Sequence, residues 1–94
     1  MTDLVSVQVI VYGYVQGVFF RAFASRRASE LGITGYVRNL LDAEAVEVQA
    51  EGERKQLEKL IDYLKVGPPS AKVEKVVINW SKYSGSHSRF GIRY

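Results

Sequence analysis

The chain has 94 residues, 47% hydrophobic and 24% charged, with a formal net charge of +3 at pH 7. These values are ordinary for a soluble globular chain, enough for one core and one domain over residues 1–94; the mild positive charge suits a phosphorylated small molecule and falls short of a nucleic-acid binder. The lack of cysteine excludes a disulfide scaffold and thiolate zinc sites, and MTDLVSVQVIVYG has neither a basic signal-peptide flank nor the length of a membrane span. A cytoplasmic protein without membrane or nucleic-acid partners is expected.

Val5, Val7, Val9 and Val11 alternate with Ser6, Gln8, Ile10 and Tyr12, the pattern of a half-buried strand. After the stretch GYVQGVFFR, residues 13–21, the positions Phe20, Phe23, Ala24, Ala28 and Leu31 recur at helical spacing until Gly32 closes the element. Ile33 to Leu40 reads as a second strand and Ala45 to Ala50 as a third. The run LLDAE turns the chain between them without an Asn-Gly or Asp-Gly pair. Gly52-Glu53-Arg54-Lys55 leads into a second helix whose Leu57, Leu60, Ile61 and Leu64 form one stripe, stopped by Gly67-Pro68-Pro69. Val73 to Trp80 is a fourth strand, with Val76, Ile78 and Trp80 on one face. Ser84 to Ser88 reads as a mobile loop, and Phe90, Ile92 and Tyr94 alternate in a short last strand over Arg89 to Tyr94.

The order is βαββαβ with a short extra carboxy-terminal strand. Two helices with one apolar stripe each pack on one face of a largely antiparallel sheet, which gives an α+β, ferredoxin-like sandwich. That fold hosts many functions, so function has to be read from a site.

GYVQGVFFR raises a question about charge. It has two glycines, no Ser, Thr, Asp or Asn to cap the coming helix, and Arg21 near a positive helix end. One reading is an anion nest, in which backbone N–H groups and the guanidinium fork of Arg21 hold a small oxyanion such as inorganic phosphate or sulfate. The other is a water-capped loop with Arg21 in solvent. Spacing alone leaves both open. The loop lacks the Lys and Ser/Thr of a nucleotide P-loop and the glycine pattern of a dinucleotide site.

GYVQGVFFR resembles the acylphosphatase signature G-x-V-Q-G-V-x-[FY]-R at every specified position. Gly35-Tyr36-Val37-Arg38-Asn39 is similar to the family's G-[FWY]-V-x-N, and Gly67, Pro68, Ala71 and Val73 match its G-P-x-x-A-x-V. The likeness runs from the first strand to the last. It implies the ferredoxin-like fold and hydrolysis of acyl phosphates to carboxylate and phosphate. It further implies that Arg21 binds phosphate, that Gly13, Tyr14, Val15, Gln16, Gly17, Val18 and Phe19 form the phosphate-cradling loop, and that Asn39 orients the attacking water. A carboxylate leaves without protonation, so such a catalyst has only to hold the phosphoryl group, spread its charge and align water. No metal, cofactor or nucleophilic side chain is required, and a monomer is expected. The family follows its asparagine with x-x-D-G-x-V-E; here Ala43 stands for the glycine and one extra residue precedes Val46, so the turn must be rebuilt.

Other residues have simpler readings. His87 is a solvated loop histidine, and Glu51, Glu53, Glu58 and Asp62 are a solvated helix face and its approach. Arg26-Arg27 and Arg54-Lys55 are surface charge. Phe19, Phe20, Phe23 and Trp80 belong to the core, while Tyr12, Tyr14 and Tyr36 are candidates for the substrate entrance. Two rivals follow. A non-catalytic module binding an acyl or carbamoyl phosphate would use the same nest, and an RNA-binding sheet shares the βαββαβ order but needs aromatic and basic motifs that AVEVQAEG and VSVQVIVY lack.

Overall fold

The computed structural model describes residues 3–94. In chain order it contains β1 (Leu4–Tyr14), α1 (Phe20–Glu30), β2 (Thr34–Leu40), β3 (Ala45–Glu53), α2 (Arg54–Val66), β4 (Lys72–Lys82) and β5 (Phe90–Arg93). The sheet order is β4-β1-β3-β2-β5. β1 pairs antiparallel with β3 and β4, β2 pairs antiparallel with β3, and β5 runs parallel to β2 at the sheet edge. This is the ferredoxin-like sandwich with an added edge strand.

The alternation in β1 decides which face of the sheet is the core. Val7, Val9 and Val11 are fully buried, and their register partners Ala50, Val48 and Val46 on β3 are buried with them. Phe20, Ala24 and Ala28 of α1 and Leu57, Leu60, Ile61 and Leu64 of α2 join the same cluster. The opposite face is polar. There Glu47 of β3 accepts hydrogen bonds from Gln8 Nε2 at 2.7 Å and Arg38 Nε at 2.6 Å. Burial pushes the Glu47 carboxyl up, but the Gln8 bond and then the Arg38 bond and charge outweigh it and hold the group below the usual carboxylate range.

Several expectations are corrected. Glu51 does not belong to a solvated helix approach. β3 continues to Glu53, so Glu51 follows Glu47 and Gln49 on the polar face, where it is only 2% exposed. Its carboxylate accepts from Ser84 N at 2.8 Å, Ser84 Oγ at 2.6 Å and Gly85 N at 3.1 Å. The 84–88 segment is thus tethered to the sheet rather than free of it. His87 is half-buried, its ring 5.9 Å from that of Tyr36. Trp80 is partly buried against the core, with the Arg54 guanidinium 4.1 Å from its ring centroid. Phe19 is not core at all.

Candidate active site

At the end of β1 the chain makes an abrupt turn. A Cβ on Gly13 would run into the carbonyl oxygen of Lys72 on the adjacent β4, and φ is +135° there, so only glycine fits. Gly13 N donates to Glu44 O and Val15 N to Gly13 O, fixing the start of the loop. Gly17 then takes φ +74° and Phe19 takes φ 63°, ψ 23° as the residue preceding α1. No side chain caps α1, and its first turn carries no acid. Among the described residues, the amides of residues 17–22 have no protein acceptor. A helix start with its positive end bare favours negative charge and offers its N–H groups as donors to an oxyanion.

The cleft at this helix start measures about 300 Å³ and is bordered by Val15, Gly17, Phe19, Arg21 and Asn39, with Ile92 and Tyr94 closing the far side. Arg21 sits in the first turn of α1. Its Nη1 donates to Arg93 O over a long 3.4 Å, and its guanidinium lies 4.8 Å from the Tyr94 ring centroid. A contact that weak leaves most of the fork's donors for a ligand. Asn39 reaches the same cleft from β2, on the helix-side face it shares with Val37. Its Oδ1 is buried and has no hydrogen-bond partner among the described residues. A buried acceptor without a protein partner is costly, and such a group calls for a functional or solvent partner.

The other loop residues are divided. Tyr14 is exposed outside the cleft, and Val18 is buried in the core with its carbonyl accepting from Ser70 Oγ. Gln16 turns away: its Nε2 donates to Leu40 O at 2.8 Å, Ala43 O at 3.0 Å and Ala45 O at 2.8 Å. This is how the altered turn is rebuilt. Residues 41–44 close it with no residue at positive φ, and a side-chain amide gathers its carbonyls. Tyr12, Tyr14 and Tyr36 do not border the cleft. Tyr36 instead lies on the polar face, under the Arg93 guanidinium at 3.8 Å from its ring centroid. Ile92 and Tyr94, which sequence reasoning left aside, supply the far wall. Their alternation with Phe90 was the available signal, but the parallel pairing of β5 with β2 that brings them here was not.

The family model for acylphosphatases matches residues 7–92. An acylphosphatase from an Anaeromyxobacter species is 43% identical over 94 residues, covering 100% of both chains. One from Caldivirga maquilingensis is 46% identical over 90 residues, 96% of this chain and 95% of its own. The crystal structure of acylphosphatase from Bacillus subtilis superposes with a TM-score of 0.90 at 36% identity, over 98% of this chain and 100% of that one. Fold and comparisons together define a small ferredoxin-like hydrolase. The chain belongs to the acylphosphatase family.

Proposed function

We propose that the cleft between the 13–21 loop and β2 hydrolyses carboxylic–phosphoric mixed anhydrides by direct attack of water. One observation carries the reading: Arg21 and Asn39, whose buried Oδ1 is unpaired among the described residues, border one cleft at a helix start whose amides have no protein acceptor. The loop amides and the Arg21 fork hold the phosphoryl oxygens and spread the charge that develops on them. Asn39 accepts a hydrogen bond from the attacking water and sets it in line with the leaving oxygen. The water oxygen bonds to phosphorus as the bond from phosphorus to the acyl oxygen breaks. The acyl group departs as a carboxylate, and the proton of the water passes to a phosphate oxygen.

In this reading the protein acts as a monomeric, one-domain enzyme of the cytoplasm, with inorganic phosphate or sulfate as competing ligands. The carboxylate leaving group makes metal assistance unnecessary. Purified protein should therefore turn over benzoyl phosphate and acetyl phosphate at the same rate with and without excess chelator. Loss of turnover in chelator, restored by a divalent ion, would overturn the mechanism, and failure to turn over either compound would leave a binding module instead.

A further inference from the structure

Phe19 is placed against both of its own preferences. Among the described residues it is the one non-glycine with positive φ, a conformation that a bulky side chain disfavours. Burial does not compensate, since the residue is 82% exposed. Glycine or asparagine would suit the backbone better and expose no aromatic ring to water. Neither packing nor backbone geometry explains a phenylalanine here, so the explanation has to lie in what the ring meets outside the fold.

Its position says what that is. The ring stands at the rim of the cleft that holds Arg21 and Asn39, and it also borders a second hollow of about 260 Å³ along α1. Phe19 and Ala22 form the ridge between the two. Asn39 borders the cleft and its Oδ1 is buried, so a water oriented by Asn39 in the proposed mechanism approaches phosphorus from the interior side. In-line displacement then sends the leaving carboxylate outward, to the rim. Beyond the ridge lie Phe23, Pro68, Arg26 and Arg27. Both guanidiniums are engaged with Glu30, at 3.6 Å and 3.2 Å, so the second hollow presents apolar surface more than free charge.

We infer that Phe19 is the acyl-group platform and that it biases this enzyme toward acyl phosphates with a flat aromatic or extended apolar acyl body. The inference rests on the proposed hydrolytic function and adds a substrate preference to it. An aromatic acyl group stacks on the exposed ring and desolvates both surfaces, whereas a methyl group gains little.

The test compares kcat/KM for benzoyl phosphate and acetyl phosphate in wild type, Phe19→Gly and Phe19→Tyr. Glycine keeps the left-handed backbone and removes the ring, so Phe19→Gly is expected to retain or raise Tm. The benzoyl-to-acetyl ratio of kcat/KM is expected to fall at least tenfold, through KM for benzoyl phosphate. Phe19→Tyr should hold the ratio within about twofold of wild type. An unchanged ratio in Phe19→Gly, or an equal fall in Phe19→Tyr, overturns the platform role while leaving hydrolysis intact. A wild type that hydrolyses neither compound overturns the hydrolytic reading itself. If Phe19→Gly does not fold, Phe19→Asn, which also tolerates the left-handed region, gives the same decision.

Discussion

The side-chain amide of Gln16 donates to the carbonyl oxygen of Leu40 at 2.8 Å, tying the loop that leads to Arg21 to the strand end that carries Asn39. Two segments far apart in sequence are thereby held at a fixed offset, and the same amide also engages Ala43 O and Ala45 O. An amide has two hydrogens for three carbonyls, so the bonds are shared rather than independent. Gln16→Ala is expected to lower stability by about 1–2 kcal/mol, the range for losing a partly buried hydrogen-bonding group. It should also lower kcat about tenfold as Asn39 loses its aim, with phosphate inhibition retained. Wild-type kcat in a folded Gln16→Ala protein would show that the turn needs no brace.

The proposed mechanism gives Arg21 and Asn39 separable duties. If Arg21 holds the phosphoryl group in ground and transition states, as proposed, Arg21→Ala should lose phosphate binding together with activity. Arg21→Lys should be nearly as severe, because an ammonium cannot reproduce the planar fork. Asn39→Ala should depress kcat by about a hundredfold or more while phosphate inhibits almost as before, the mark of a contact made in the transition state. Circular dichroism establishes that each variant is folded. A folded Asn39→Ala enzyme with unchanged kcat removes Asn39 from the mechanism.

If inorganic phosphate binds the native cleft as proposed, and has no counterpart site in the unfolded chain, it should stabilise the fold by linkage. At about a hundredfold above its dissociation constant the gain is roughly 2.7 kcal/mol. Thermal unfolding across a phosphate titration measures it, and Arg21→Ala should flatten the response. A wild-type Tm that ignores phosphate, together with absence of inhibition, would sink the site.

Acid should weaken the fold partly through Glu47. Its folded pKa is held below the ordinary value, with the hydrogen bond from Gln8 and the contact with Arg38 outweighing burial. The sign follows from this depression. The contribution is complete above the unfolded carboxylate pKa of about 4.3, and it is lost as pH falls through that value to the lower folded pKa. Because Arg38 is half exposed, the Coulombic share is screened. Denaturant titrations at pH 7 and pH 3.5 should show a smaller loss in Glu47→Gln than in wild type. Equal losses in the two proteins would place the acid sensitivity elsewhere.

The apolar skeleton was legible because it depends on period alone. Val7, Val9 and Val11 repeat every second residue, Leu57, Leu60, Ile61 and Leu64 every third or fourth, and these periods pick out their buried faces without reference to the rest of the chain. The helix start before Arg21 was legible for a related reason: a missing cap is visible in sequence. Glu51 was misread because acids near a helix start resemble a solvated approach, and only the extension of β3 places it on the polar sheet face. Its partners Ser84 and Gly85 lie so far along the chain that no local pattern joins them. Phe19 was misplaced because composition assigns an aromatic to the core, while its left-handed backbone and exposure are consequences of the loop's path. The wall made by Ile92 and Tyr94 depended on a parallel pairing that alternation does not encode.

The register of β1 also bears on how quickly this molecule forms. β1 lies between β3 and β4, and its ladder with β4 joins Val5 to Lys82 at one end and Tyr14 to Lys72 at the other. Each of these bonds closes a loop containing most of the chain, and the entropy of that closure is spent before any contact rewards it. Refolding on the order of milliseconds to seconds is expected, well behind a helical bundle of equal length. The cleft is complete only once β5, which carries Ile92, has paired with β2. Phosphate held by the loop amides and Arg21, as proposed, slows unfolding to the extent that its site is absent from the folding transition state, so there the ligand serves as a brake on opening more than as a guide to folding.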